Sequence, residues 1–364
     1  MRDSERFGSY TVYECLGAGG MATVHRASIE LEDDEIREVA LKRLLPQYAN
    51  DKRFVDDFIR EAKLAAELQH PNIVRVLELG RIKGTYFIAM DLVRGRPLVS
   101  LMRKAFTKHA SAPIGVVLAL MTELLDALDH AHDAQIVHRD LTPSNLIVTD
   151  DGHLKIIDFG VAKALVGNLQ TSSGLAKGKL GYMSSEAISG KQLDTRADIF
   201  SAGVVMWELL TTRRLFKGQN EYELIVQIRE GLVAPPSHEN PECPRELDDI
   251  VLQALAKSRE DRWSSAGEMR DAIGELRRFY RASTQDVVRW AQRLRSDALR
   301  PEIESEGTEV QISTNDLFAE GSDMETYDEP VELPDEPDPE ANRRRFLDSD
   351  TVITGESMVD ERKR

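Results

Sequence analysis

Residues 138–145 read HRDLTPSN, and thirteen residues after Asn145 the chain reads DFG at residues 158–160. A hydroxyl that attacks a nucleotide γ-phosphate needs a base for its proton and positive charge beside the phosphate. Asp140 as the base, with Asn145 and Asp158 as ligands of Mg²⁺, supplies both. Each cluster alone could be a helix cap or a turn, but their order and spacing favour phosphoryl transfer.

A glycine-rich segment lies upstream of these clusters. Residues 16–24 read LGAGGMATV and separate two β-like runs, Tyr10 to Cys15 and Thr23 to Ala27. Glycines let backbone N–H groups approach phosphate oxygens, although a plain hairpin uses the same residues. The segment is followed by VALK at residues 39–42, which predicts a strand that ends in a cation.

Lys42 could hold the α- and β-phosphates of a nucleotide, or it could be a solvated strand lysine. Nineteen residues later, Glu61 lies in the segment REAKLAAEL at residues 60–68, whose apolar positions Leu64 and Leu68 predict a helix with a buried face. A glutamate beside that face can reach Lys42 and hold it in place. Without the other motifs, Glu61 would be an ordinary surface charge.

Together these motifs resemble those of protein kinases, most closely the eukaryotic-like Ser/Thr kinases of bacteria. The similarity runs from about residue 7 to about residue 279 and includes three further motifs: HPNIV at residues 70–74, DIFSAG at residues 198–203 and DRW at residues 261–263. In this family the activation segment follows the DFG motif and ends at a glutamate, here Glu186. The arginine of the last motif, here Arg262, pairs with that glutamate.

The resemblance implies an α+β, bilobal protein kinase fold. The small β-rich N-lobe with one regulatory helix would span about residues 7–92, and the larger, mostly α-helical C-lobe about residues 93–279. An accessory helix at residues 283–298 and an acidic, then basic, disordered C-terminal tail at residues 302–364 would follow.

ATP and Mg²⁺ are the cofactors that the resemblance implies. The implied catalytic residues are Lys42, Glu61, Asp140, Asn145 and Asp158, and the metal ligands among them are Asn145 and Asp158. Lys179 is added to the catalytic set as a hypothesis, for the reason given below. Met90 would be the gatekeeper beside the adenine, which the backbone of Asp91 and Val93 would hydrogen-bond. The full nucleotide-binding set would be Leu16, Gly17, Ala18, Gly19, Gly20, Val24, Ala40, Lys42, Met90, Asp91, Val93, Asn145 and Asp158.

The chain departs from the family pattern at four positions. Ala22 replaces the third glycine of the phosphate loop, and Ser185 replaces the proline before Glu186. Thr142 stands where the family has a lysine, and Lys179 where it has a threonine. Because the family places these last two residues side by side, an exchange would keep one cation and one hydroxyl in the same volume. The hypothesis is that Lys179 replaces the missing lysine; the alternative is decay into a nucleotide-binding pseudokinase scaffold.

The segment HRDLTPSN at residues 138–145, which corresponds to the catalytic loop of the family, also indicates the acceptor. Pro143 resembles the Ser/Thr-kinase form of the loop, so protein Ser/Thr hydroxyls are the expected acceptors, with autophosphorylation through a transient kinase homodimer as a further possibility. Arg139 beside Asp140 can pair with a phosphorylated activation segment. The candidate phosphosites are Thr171, Ser172 and Ser173; plain solvated hydroxyls are the alternative.

Charge is concentrated at one end of the 364-residue chain. Residues 302–340 contain fifteen acidic residues and no lysine or arginine, so they carry nearly all of the net charge of −16. Such a segment is predicted to be disordered and makes a nucleic-acid partner improbable. The sequence contains no apolar run long enough for a membrane span, no signal peptide, and only two cysteines, Cys15 and Cys243. A cytoplasmic location is therefore expected.

Two further features flank the acidic run. Ser283 to Asp286 reads as a capping box that opens a helix to about Asp297, whose apolar stripe could pack on the C-lobe or dock a partner. After the acids, basic clusters bracket four hydroxyls: Ser349, Thr351, Thr354 and Ser357. The tail could be autophosphorylated, could occupy the substrate groove, or could only increase solubility.

Overall fold

The computed structural model describes four ranges of the chain: residues 4–31, 35–159, 179–230 and 232–295. Some of the residues singled out in the sequence lie outside these described residues: Gly160, Thr171, Ser172, Ser173 and the tail of residues 302–364. The described residues form a β-rich N-terminal lobe and a mostly helical C-terminal lobe. The bilobal architecture is the one that the motifs predict.

An antiparallel sheet makes up most of the N-terminal lobe, with the spatial order β1-β2-β3-β4-β6-β5. Its strands are, in chain order, β1 (Glu5–Phe7), β2 (Tyr10–Ala18), β3 (Ala22–Glu30), β4 (Ile36–Leu44), β5 (Val76–Ile82) and β6 (Thr85–Asp91). The glycine-rich turn joins β2 to β3, and Val24 on β3 pairs with Lys42 on β4. Strand pairing therefore brings the turn and the lysine to the same edge of the cleft.

Helix α1 (Lys52–Glu67) packs beside this sheet and begins at Asp51, whose carboxylate caps the helix. Its buried residues are Phe58, Glu61 and Ala62. Leu68, at the C-terminal cap of the helix, is 2% exposed, and Leu64 is partly buried against the same core cluster. The buried face that Leu64 and Leu68 predict is therefore present, and Phe58 extends it toward the N-terminus of the helix, where it packs in an apolar cluster with residues of the sheet.

Most of the C-terminal lobe is helical. Its α-helices are α2 (Leu98–Lys108), α3 (Ile114–Asp133), α4 (Ser185–Ile188), α5 (Arg196–Thr211), α6 (Glu221–Glu230), α7 (Arg245–Ala254), α8 (Ala266–Leu276) and α9 (Thr284–Arg295). A small sheet of β7 (Gly95–Pro97), β8 (Leu146–Thr149) and β9 (Leu154–Ile156) lies at the cleft. Among the described residues, no helix has the length and apolar character needed to cross a membrane.

Helix α5 forms the centre of this lobe. Every residue from Ala197 to Thr211 is buried, as expected for a helix that is apolar on all sides. Gly203 lets it approach α7, since a Cβ at this position would lie 3.0 Å from the Cβ of Ala254. The N-terminal end of α5 carries Asp198, which is 1% exposed. A rigid, buried helix therefore holds an acidic residue beneath the catalytic loop.

Helix α9 is packed on the lobe. Its first turn is a capping box, with the backbone N–H of Ser283 donating to Asp286 at 2.8 Å. Of the predicted apolar stripe, Val287, Trp290 and Leu294 are buried in the core of the lobe, beside α2 and α3. The structure therefore uses this stripe internally. The close approach requires Gly152, whose φ is +91° and where a Cβ would lie 2.3 Å from the carbonyl oxygen of Thr284.

The predicted pairing of Arg262 with Glu186 is present as a buried, two-pronged ion pair. The guanidinium donates to the two carboxylate oxygens at 2.6 and 2.9 Å. It also donates to the backbone oxygens of Ala256 and Arg196. Charge-assisted bidentate pairs are among the strongest hydrogen bonds in proteins. This pair connects α4, which contains Glu186, to the loop before α8.

Replacing Arg262 with Met should lower the free energy of unfolding by about 3–5 kcal/mol, because Glu186 would remain buried without its partner. Chemical denaturation followed by the fluorescence of the three tryptophans measures this change. The matched control is Arg278→Met, which removes an exposed ion pair with Glu275 and should cost less than about 1 kcal/mol. Equal effects of the two changes at pH 7 would contradict the argument.

The effect of Arg262→Met should also depend on pH. Burial raises the pKa of Glu186, but its hydrogen bonds with Arg262 outweigh burial and the pKa is lower than usual. A carboxyl with a lowered folded-state pKa stabilises the fold above its unfolded pKa, and this stabilisation is lost as pH falls through the folded-state value. The difference between the parent and Arg262→Met should therefore be full at neutral pH and shrink below about pH 4.

Candidate active site

Lys42 contacts two acidic residues, one in each lobe. Its ammonium contacts the carboxylate of Glu61 on α1, and it is 3.0 Å from Oδ1 of Asp158 in the C-terminal lobe. Lys42 and Glu61 are both buried, at 8% and 6% exposure. The pair thereby connects β4 to α1, and the contact with Asp158 connects both lobes.

The three groups perturb one another. Burial lowers the pKa of Lys42, but the charges of Asp158 and Glu61 and their hydrogen bonds outweigh it, so the net shift is upward. Burial and the neighbouring charge of Asp158 raise the pKa of Glu61 in spite of its contact with Lys42. Two carboxylates share one cation, and Lys42 therefore stays charged at neutral pH.

Asp140 and Asn145 face each other across the catalytic loop. The amide nitrogen of Asn145 donates to the backbone oxygen of Asp140 at 2.8 Å. Its backbone oxygen accepts from Ile157, the residue before Asp158, at 3.0 Å. Because Asn145 uses its side-chain nitrogen for Asp140, its side-chain oxygen is the atom that could bind a metal ion. These contacts bring Asp140, Asn145 and Asp158 into one site.

Asp198 holds the catalytic loop from below. Its carboxylate accepts hydrogen bonds from the backbone N–H groups of His138 and Arg139 at 2.8 and 2.9 Å. Arg139 has a φ of +65°, which is uncommon for a residue other than glycine, so these bonds stabilise a strained backbone just before Asp140. His132 on α3 contributes a third hydrogen bond, at 2.8 Å.

Sequence reasoning assigned Asp198 to a family motif but did not predict this role, and it missed His132. An acidic residue that opens an otherwise apolar helix is a signal that could have indicated a buried anchor. For His132 the signal is weaker: a histidine in the mainly apolar stretch of α3, six residues before His138.

His138, the first residue of the HRDLTPSN segment, contacts the DFG segment through Phe159. Its ring lies 4.7 Å from the ring of Phe159, and both side chains are buried. Burial lowers the pKa of His138 even though the carboxylates of Asp198 and Asp140 oppose the shift. A neutral ring packed on Phe159 fixes the position of Phe159 and, next to it, of Asp158.

Lys179 also lies in the site. Its ammonium is 2.9 Å from Oδ2 of Asp140. Thr142, two residues after Asp140, is 4% exposed, and its hydroxyl is 2.7 Å from that of Ser144. The catalytic loop thus presents a hydroxyl at position 142, while the cation beside Asp140 comes from position 179.

Two of the residues predicted to surround a nucleotide, Ala40 and Met90, are buried in one apolar cluster of the N-terminal lobe together with Ala22. The departure at Ala22 places its methyl group in this cluster and leaves the glycines of the turn in place. The backbone N–H of Asp91 donates to Arg75 at 3.0 Å, so the carbonyl group of Asp91 is the one that could meet an adenine.

Comparison with known proteins agrees with this geometry. Residues 10–273 match the family model of the protein kinase domain. The chain is 38% identical over 275 residues to the tyrosine-protein kinase MasK of Myxococcus xanthus, covering 73% of this chain and 43% of MasK. It is 35% identical over 262 residues to the serine/threonine-protein kinase PrkC of Bacillus subtilis, covering 72% of this chain and 39% of PrkC. The chain thus spans about two fifths of the length of these curated relatives.

Solved structures give the same result. The kinase domain of PknI from Mycobacterium tuberculosis is similar with a TM-score of 0.57 and 29% sequence identity, over 74% of this chain and 97% of that domain. Residues 10–273, which match the family model, include the ion pair of Lys42 and Glu61 and the loop that carries Asp140. The chain therefore belongs to the protein kinase family.

Proposed function

We propose that this protein transfers the γ-phosphoryl group of ATP to Ser and Thr hydroxyls of proteins, and that it phosphorylates itself. The observation that carries the proposal is the position of Lys42 between Glu61 and Asp158, with Asp140 and Asn145 on the adjoining loop. Family membership supports the use of ATP. The relative PrkC, which is named a serine/threonine-protein kinase, supports the choice of acceptor.

The donor set fits a nucleotide with a divalent metal ion. Lys42 would bind the α- and β-phosphates, and Glu61 would keep it in position. Asp158 and Asn145 would hold Mg²⁺ through a carboxylate and an amide oxygen, which suits a hard cation that usually takes its other ligands from water and phosphates. When bound, the metal ion neutralises phosphate charge during transfer.

Asp140 would accept the proton of the acceptor hydroxyl. The backbone just before it is anchored on Asp198 through Arg139, and its carboxylate accepts a hydrogen bond from the side-chain nitrogen of Asn145 at 3.4 Å. A base that is fixed within reach of the hydroxyl lowers the barrier by proximity as well as by proton transfer. The alternative of a pseudokinase scaffold is not favoured, since Lys42, Asp140, Asn145 and Asp158 are all present and close together.

The acceptor has a second candidate. The name of MasK, a tyrosine-protein kinase, favours considering tyrosine as well. Pro143 in the catalytic loop supports Ser and Thr. Thr171, Ser172 and Ser173 are the proposed autophosphorylation sites, and Arg139 would pair with a phosphate there.

Asp140→Asn should reduce phosphate incorporation by roughly 10²- to 10⁴-fold, because it removes the base and leaves the fold intact. The measurement is incubation of the purified chain with Mg²⁺ and labelled ATP, followed by mapping of phosphorylated residues by mass spectrometry. Asp150→Asn, at an exposed position in the turn between β8 and β9, is the control and should behave like the parent. Phosphate on tyrosine alone would overturn the Ser/Thr assignment, and similar rates for the parent and Asp140→Asn would overturn the proposed chemistry.

Glu61→Gln should lower turnover by about 10- to 100-fold, because Lys42 would lose the charge that orients it toward the phosphates. Steady-state kinetics with varied ATP measures the change. Glu67→Gln, at the exposed end of the same helix, should leave turnover unchanged. Equal turnover of these two variants would argue against a role for the Lys42–Glu61 contact.

A further inference from the structure

Lys179 is fixed in the site by buried anchors. The next residue, Leu180, and Tyr182 are 5% and 4% exposed. The backbone N–H of Tyr182 donates to the carbonyl oxygen of Lys179 at 3.1 Å, and the Tyr182 hydroxyl donates to Glu208 of α5 at 2.8 Å. A turn that is anchored on the central helix therefore sets where the Lys179 ammonium lies.

The charges of the site are divided into two groups. Lys42 contacts Glu61 and Asp158, whereas Lys179 contacts Asp140. The side chain of Lys179 is 41% exposed, compared with 10% for Lys42, so a ligand in the cleft can reach it. Lys179 thus places positive charge beside the proposed base, on the side where an acceptor hydroxyl and the γ-phosphoryl group must meet.

The catalytic loop does not place a cation at position 142. Thr142 is uncharged and buried, and its hydroxyl is engaged with Ser144. A simple surface ion pair would be the ordinary explanation for an exposed lysine near an aspartate, and such pairs contribute little. Here the aspartate is only 11% exposed and is the proposed base. Preorganised positive charge at this place is worth far more than at the surface.

We infer that Lys179 is a catalytic residue that binds an oxygen of the γ-phosphoryl group, in place of a lysine in the catalytic loop. The inference rests on the proposed function. In the transfer, the acceptor oxygen forms a bond to the γ-phosphorus, its proton passes to Asp140, and the bond to the β-phosphate oxygen breaks so that ADP leaves with the electron pair. Lys179 neutralises charge on the transferred group without gaining or losing a proton.

The test compares variants of the full chain that remove, keep or move this charge. Lys179→Met removes it with little change in size, Lys179→Arg keeps it, and Lys179→Met combined with Thr142→Lys moves it to the catalytic loop. Lys191→Met, at an exposed position twelve residues later, is the control. Two quantities are measured: kcat, and the binding by calorimetry of Mg²⁺ with ADP or with the non-hydrolysable ATP analogue AMP-PNP.

Lys179→Met should lower kcat by about 10²- to 10³-fold, the usual effect of removing one preorganised charge-stabilising group. It should weaken AMP-PNP binding about tenfold and leave ADP binding within about twofold, because only the γ-phosphoryl group loses a charge-assisted hydrogen bond. Lys179→Arg and the charge-moving double variant should each recover at least about tenfold in kcat, and Lys191→Met should match the parent.

Unchanged kcat in Lys179→Met, or equal weakening of ADP and AMP-PNP, would overturn the inference while leaving the proposed function in place. A failure of both charge-retaining variants to recover kcat would overturn the role of the charge. A parent chain that transfers no phosphate, like Asp140→Asn, would instead overturn the proposed function, and the inference with it.

Discussion

The hydrogen bonds of Asp198 are the constraint on which the candidate site depends. A carboxylate that is 1% exposed needs strong donors, and it finds them in the backbone of His138 and Arg139 and in the ring of His132. These bonds hold the left-handed backbone of Arg139, and the direction of the chain at Asp140 follows from it. The central helix α5, which is buried along its length, thereby supports a loop whose backbone is strained.

A series of contacts connects the loop that Asp198 anchors to both lobes. Asn145 connects the loop to the strand region before Asp158, and His138 packs on Phe159. Asp158 then meets Lys42, which is held by Glu61 on α1. A small set of buried polar contacts therefore couples the position of α1 to the catalytic loop. Movement of α1 would separate Glu61 from Lys42, so the geometry of the site depends on how the lobes pack.

The site has more acidic than basic side chains in contact. Glu61, Asp140 and Asp158 contact only two cations, Lys42 and Lys179, and the excess of negative charge suits a divalent cation. The buried pair of Glu186 and Arg262 lies apart from these groups and fixes the end of the activation segment. Buried ion pairs of this kind position chain segments more than they stabilise the fold.

The sequence predicted the fold, the pairing of Lys42 with Glu61 and the pairing of Glu186 with Arg262, because each depends on residue types at known spacings in a recognisable family. It also predicted the buried face of α1, since Leu68 is 2% exposed and Leu64 packs against the core. It did not predict how far the contact extends along the helix, because burial depends on what packs there, and Phe58 is also buried, in a cluster with residues of the sheet. A periodic pattern specifies a face of a helix and leaves the position of the contact along it open.

What the sequence determined by itself was the set of candidate groups: a proposed base, proposed metal ligands, a cation with its partner, and the exchange of threonine and lysine at positions 142 and 179. Only the tertiary structure decided which atoms meet. Lys179 lies against Asp140, and Asp198 binds the backbone of His138 and Arg139 instead of another side chain. The physical reason is that residues 39 to 60 positions apart in the chain become neighbours only through packing. Every residue except proline has a backbone N–H group, so the sequence does not indicate which of these groups a carboxylate will bind.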